Sequence, residues 1–487
     1  TTFNWNGGAL QGAGTLDIVG VTTFSIGGSA TKTLGSFTLA PGTLTVGGTG
    51  ILDINGGTMN VAGLTTINSG ATLKVSTATF NPSGTLNNNG LLDLRAGTLS
   101  LGAGGTHTGD FNTATGTVLQ FTGGTHIMDS GSDTSGPGDI AFTGGTSTYN
   151  TGSTYFISGD TGINGGDAIF NINAVTNSLT HGSGSFGGGS TGNITTSTWM
   201  PTSGVTLNDI DLILAANGTN TLTGINVNSA GTATVTNQGS LTVNGSTIGS
   251  NFTNTGIFIV NGSLNNLSGT ATQSAGNFIL GAGSDITTAN LNVVGGTLTG
   301  TGTINGNVNN SGGILAAGSS PGTLIIGGNY IQGAGATFQA ELAGTALAGT
   351  DYDLLSVGGT TSLAGTLDIQ LFGGYAGAIG DQFDIIQSGG AIAGDFAAVN
   401  VPTSYTFSST PNTPAAGAYQ LAILSDPFVT PPPSTPPPST PPASTIGEIE
   451  STDEIIVLED FQEQLSVTFV EPDADSEDEE KRELACR

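Results

Sequence analysis

Short segments of alternating apolar and polar residues recur from Thr1 to about Asp426, each closed by glycine or asparagine. Gly42-Thr-Leu-Thr-Val46, Gly50-Ile-Leu-Asp-Ile54, Ala71-Thr-Leu-Lys-Val75, Gly239-Ser-Leu-Thr-Val243 and Gly365-Thr-Leu-Asp-Ile369 show the pattern. A period of two with one apolar face predicts β-strands. Helical periodicity is scarcely found, and Glu341 is the only glutamate before residue 448. The fold class expected is all-β.

Strands of three to six residues bury little individually, so stability has to come from stacking many similar coils around one continuous core. This predicts a single elongated parallel β-solenoid over residues 1–426, with Leu44, Val46, Ile54, Leu73, Val75, Leu241, Val243, Leu324, Ile326, Leu367 and Ile369 facing inward. Corners such as Asn89-Gly90, Asn254-Thr255-Gly256 and Asn310-Ser311-Gly312 supply left-handed backbone where the chain turns. Their spacing is irregular and fixes no coil length. A sandwich or several small antiparallel domains is the alternative.

The pattern stops near residue 427. Nine of the 16 residues from Pro427 to Pro442 are proline, which removes ladder donors and favours extended polyproline helix, so residues 427–447 are read as a spacer. Residues 448–487 form an acidic tail, read as largely disordered, with apolar patches at Ile455–Leu458 and Leu465–Val470.

Charge narrows the choice of function. The chain carries a formal charge of −29, and 15 of its 35 acids lie in the tail. Lys32, Lys74 and Arg95 are the only basic residues before Lys481. Nucleic-acid binding, which rests on Lys and Arg contacts to phosphate, is excluded, and attraction to anionic lipid is disfavoured on the same ground. No apolar run is long enough for a transmembrane helix. The opening on Thr1 without an initiator Met or signal sequence is read as that of a processed chain or a fragment. No terminal outer-membrane barrel is evident.

One region is specific enough to suggest a family. Gly300-Thr-Gly-Thr-Ile-Asn-Gly-Asn-Val-Asn-Asn-Ser-Gly-Gly-Ile-Leu315 is followed by Gly318-Ser-Ser-Pro-Gly-Thr-Leu-Ile-Ile-Gly-Gly-Asn-Tyr-Ile-Gln332, Thr350-Asp-Tyr-Asp-Leu-Leu-Ser-Val357 and Gly380-Asp-Gln-Phe-Asp-Ile-Ile386. Residues 296–425 thereby resemble the passenger segment of autotransporters and filamentous-haemagglutinin-like adhesins. The resemblance implies a right-handed parallel β-helix, exported to the bacterial cell surface and acting in adhesion, aggregation or biofilm. It also implies an outer-membrane secretion partner. The chain departs from the family in showing neither a C-terminal barrel nor a recognisable N-terminal secretion domain, which leaves the export route open.

Several groups are candidates for chemistry. A β-helix polysaccharide lyase or glycosidase would need paired carboxylates, and the pairs are Asp129 with Asp133, Asp209 with Asp211, and Asp351 with Asp353. Asp209 and Asp211 are the most attractive, because residues two apart on a strand point the same way. Against them, no Lys or Arg lies between residues 96 and 480 to act as a lyase base. His107, His126 and His181 lack zinc-site spacing and are read as outward polar positions rather than as one metal site shared by neighbouring coils.

Gly182-Ser-Gly-Ser-Phe-Gly-Gly-Gly189 lacks the lysine of a phosphate loop and reads as a flexible loop. Gly281-Ala-Gly-Ser-Asp285 is one fragment of a calcium-repeat motif, not an array. The Thr-x-Thr pairs Thr43/Thr45, Thr221/Thr223 and Thr297/Thr299 recur without forming the unbroken ladder of an ice-binding helix. Sequons at Asn193, Asn217, Asn244, Asn251, Asn261, Asn266 and Asn310 are background in so Asn-, Ser- and Thr-rich a sequence. Cys486 is read two ways, as a disulfide tether to another molecule or as a free thiol.

No catalytic, cofactor or metal residue is assigned from these motifs. The expectation is a non-enzymatic, secreted or surface-displayed structural protein whose partners are cell-surface glycans or proteins. A polysaccharide-degrading enzyme using Asp209 and Asp211 is the alternative.

Overall fold

The structure, a computed structural model, describes residues 2–5, 14–16, 23–28, 31–35, 37–189, 192–263, 265–318, 320–411 and 417–425. The proline-rich spacer, the acidic tail and Cys486 lie outside the described residues.

Each coil contributes three short strands, one to each of three faces. Thr43–Val46, Ile51–Ile54 and Thr58–Val61 make one coil, and Thr65–Ile67, Thr72–Val75 and Thr79–Pro82 the next. Up to the C-terminal hairpin the strands pair in parallel with their equivalents one coil away, as in Thr72↔Ile51 and Val75↔Ile54 on the second face. The chain therefore forms a parallel β-solenoid, as the alternating pattern requires. Between Val118 and Pro201 several strands run on around a corner, among them Val118–Met128 and Asp139–Tyr149. Gly124 and Gly145 turn that corner at φ values of 70° and 68°. A Cβ on Gly145 would lie 2.2 Å from the Gly124 carbonyl oxygen, so side chains are shut out there.

Coil length varies because corners absorb insertions while the ladders stay in register. Asn237 and Asn254 occupy equivalent positions 17 residues apart, and Asn329 and Thr360 equivalent positions 31 apart. The second interval is lengthened by the excursion between Thr337–Leu342 and Leu354–Val357. Asp353 pins this excursion: its Oδ1 accepts the Gly322 N–H at 2.8 Å and its Oδ2 the Glu341 N–H at 2.9 Å. Asp351 Oδ2 accepts the Leu347 N–H at 2.8 Å. These two acids, considered as a catalytic pair, hold a loop.

All eleven residues predicted to face inward are buried. From His107 to Phe186 the interior is rich in aromatic rings. Phe121 and Phe142 stack with 5.4 Å between ring centres, and Tyr149 meets Tyr155 edge-on at 5.0 Å and stacks on Phe170 at 5.1 Å. Gly182–Gly189 is not a loop throughout. Phe186–Gly187 is a first-face strand, and Phe186 lies buried against Phe170.

At its C-terminal end the parallel pattern gives way to antiparallel pairing. Gln382–Ser388 pairs antiparallel with Ala418–Ser425, which pairs antiparallel with Thr406–Pro411. The last first-face strand is thus covered by a hairpin.

Candidate functional site

A long polar column lies where the chain enters the second face. Parallel register places Asp133 beside Thr154, Asn173 beside Asn193, Asn193 beside Asp211, Thr234 beside Asn251, and Asn290 beside Asn307. At many of these steps a side chain bonds to the next coil. Asp110 Oδ1 accepts the Asp133 N–H at 3.1 Å, and Asp133 in turn accepts the Thr154 hydroxyl. Asn193 donates to Asn173 Oδ1 at 2.8 Å, Asp211 Oδ1 accepts the Thr234 N–H at 2.8 Å, and Asn251 Oδ1 accepts the Thr270 N–H at 3.1 Å. The rail continues through Asn290, Asn307 and Asn329 to Thr360.

This geometry explains why Asp, Asn and Thr recur at one position. Asp110, Asp211, Asn251, Asn307 and Asn329 are short enough to accept the N–H at the corner of the next coil, much as in an Asx turn, while Thr154, Asn193 and Asn307 donate to a side chain of the coil before. Two shallow grooves follow the same corner. One, of about 300 Å³, is lined by residues including Ser69, Asn89, Thr108 and Asp110; the other, of about 460 Å³, runs beside Asn251, Thr270, Asn290 and Asn292. Hydroxyls, amides and one carboxylate are what these named side chains offer a ligand.

Asp209 and Asp211 are not a carboxylate pair on one strand. Asp209 sits at the corner with φ 51°, so the same-face rule for residues two apart does not apply to it; the strand begins at Asp211. Its Oδ1 accepts the Thr232 N–H at 3.1 Å and fills the space that a side chain at Gly231 would need. Asp211 belongs to the rail. Asp129 and Asp133 likewise reach separate partners, Asp129 accepting from Asn150 at 2.7 Å and Asp133 from Ser135 at 3.0 Å and from Thr154.

The three histidines face inward, which overturns the outward reading. All three are buried. His107 and His126, from adjacent coils, lie in near-parallel planes with Nε2 of the first 3.2 Å from Nδ1 of the second. The Asn88 N–H points at His107 Nδ1 from 3.3 Å, which assigns the His107 proton to Nε2 and makes it the donor to His126. Burial, with the neighbouring His126 as a second cause, lowers the His107 pKa to about 3, and burial lowers that of His126 to about 4. Both are neutral at physiological pH. His181, lowered by burial as well, lies with Nε2 3.4 Å from the Gly184 carbonyl. Among the described residues no three His, Cys, Asp or Glu side chains come together as a metal site.

Of the sequons, Asn310 is buried and bonded through both ends of its amide to Gly313. Lys74 and Arg95 are each held by a carboxylate, at 3.4 Å from Asp53 and 2.7 Å from Asp93 respectively, and Lys32 is buried.

Two features were missed in the sequence. The rail needs coil register to be seen. The other is a second-face column of successive register partners, with Phe156 and Val175 exposed and Thr195 and Ile213 half-buried. The adjacent Tyr155 and Phe156 carry a signal for it, since a two-faced strand must turn one of them outward.

No family model and no curated protein matches the chain.

Proposed function

We propose that the chain is a structural protein, secreted or displayed at a bacterial cell surface, whose solenoid presents a repetitive polar face for adhesion, aggregation or biofilm. The observation that carries this reading is the rail from Asp110 to Thr360. Its acids and amides bond coil to coil through part of their donors and acceptors, so the surface is built from the same contacts that hold the stack together. The resemblance of residues 296–425 to adhesin passengers supports export with an outer-membrane partner, and the lack of Lys and Arg from residue 96 to 480 favours glycan or protein partners without phosphate.

Beads coated with the protein test the reading: they are expected to adhere to cells or to one another where uncoated beads do not. A parallel screen on neutral and acidic polysaccharides tests the enzymatic alternative. Turnover that disappears in a folded Asp209→Asn, Asp211→Asn variant would replace adhesion with catalysis.

A further inference from the structure

On the second face, Phe156 is 59% exposed and Val175, its register partner one coil on, is 37% exposed. Thr195 and Ile213 continue the same column. Neither Phe156 nor Val175 is at a corner; both stand mid-strand, on a face whose outward positions are mostly Thr, Asn, Asp or Ser, with Ile331 another large apolar side chain exposed there. Three coil steps of roughly 4.8 Å make the strip about 14 Å long and one side chain wide. On one side runs the rail, with Asn173 and Asp211 exposed; on the other follow Asn177 and Ser197.

We propose that this strip is a binding site for a neutral, unbranched oligosaccharide, a proposal that rests on the adhesive reading above. The apolar strip by itself is too small to carry a stable protein interface. A column about 14 Å by 5 Å offers on the order of 100 Å², against roughly 800 Å² per partner in a stable protein interface. A pyranose chain fits both parts of the site. Its C–H faces cover the Phe156 ring and the Val175 methyls, while its equatorial hydroxyls reach the amides and carboxylates alongside. Charge selects among sugars: the flank carries Asp211 and Asp133, and no Lys or Arg occurs from residue 96 to 480, so uronic acids and sulfated sugars are repelled.

The test is saturation-transfer NMR and calorimetry on the whole chain with a neutral hexa-saccharide of β-linked glucose or mannose and with hexagalacturonate as the acidic counterpart. A neutral probe should bind, insensitively to salt, and the acidic one should not. Phe156→Ala is expected to weaken binding at least tenfold and Phe156→Trp to preserve it, while circular dichroism stays unchanged because the side chain is outward. Absence of binding by both neutral probes, binding indifferent to Phe156→Ala, or preference for the acidic probe would each overturn the proposal. Bead adhesion is scored separately. Beads that adhere without oligosaccharide binding sink the site but keep the adhesive reading, and beads that fail to adhere sink that reading whatever the NMR shows.

Discussion

Inside the solenoid the Asn254 amide donates to Gln273 Oε1 at 2.7 Å, one coil away. Asn254 in turn accepts from Asn237 at 2.7 Å, and all three amides reach backbone carbonyls at the corner leading to the third face. All three side chains are buried. Asn254→Ala removes the middle member and leaves both neighbours short of a partner, at about 1–3 kcal/mol for each stranded group. The variant is expected to lose about 3 kcal/mol of stability, read as a lower urea midpoint with unchanged slope. A loss under half a kcal/mol would show that the ladder contributes no net stability.

The His107–His126 pair makes the fold acid-sensitive in a defined window. Both folded pKa values, about 3 and about 4, lie below the ordinary histidine value of 6.5. Between pH 6.5 and 4 the unfolded chain therefore binds protons that the folded chain refuses. Stability falls with pH there, by up to about 1.4 kcal/mol per pH unit for each histidine. Asp353 works in the opposite sense, because burial raises its pKa from 3.8 to about 7, against the pull of two backbone N–H groups, and so costs stability as pH rises through that range. Replacing both histidines, as His107→Leu with His126→Leu, should flatten the acid limb of a melting temperature versus pH curve. An unchanged limb would assign it to other groups.

The strands and the interior were legible in the sequence because period two needs no tertiary knowledge: Leu44 and Val46, or Leu367 and Ile369, fix each other's direction. The same parity was available for His181, two residues after inward Leu179, and for His126, two before inward Met128. Polar residue type outweighed it, although a neutral imidazole can pack inside among aromatic rings. The rail was not legible. Asn173 and Asn193 meet only once the coil length is known, and with coils of 17 to 32 residues no fixed spacing reveals it. Asp209 misled for a backbone reason, since a non-glycine residue at φ 51° breaks the alternation that its neighbours keep.

Asp353 yields a local prediction. In Asp353→Ala the N–H groups of Gly322 and Glu341 lose their acceptor, and the excursion before Leu354 loses its anchor. Hydrogen exchange at those two amides should accelerate at least tenfold, with protease nicking appearing between residues 343 and 353, while exchange in the strands before residue 300 stays as in the parent. Uniform acceleration along the chain would mean that the coils unfold together and that the anchor is not local.

A parallel stack ends in an open strand edge, and such edges recruit other chains unless they are covered. Here the hairpin of Thr406–Pro411 and Ala418–Ser425 covers Gln382–Ser388, and Tyr419 secures it. Its ring is buried edge-on against Phe396 at 5.1 Å, and its hydroxyl donates to Asp395 Oδ1 at 2.6 Å. Tyr419→Phe removes the hydrogen bond alone and should cost about 1 kcal/mol. Tyr419→Ala also empties the site, at about 4 kcal/mol, close to the cost of deleting a buried aromatic ring. If the hairpin protects the edge, the alanine variant should in addition form concentration-dependent oligomers by light scattering, whereas the phenylalanine variant stays monodisperse relative to the parent. Destabilisation of the alanine variant without any rise in association would show that Tyr419 stabilises the end of the stack but that the edge beneath it is not adhesive.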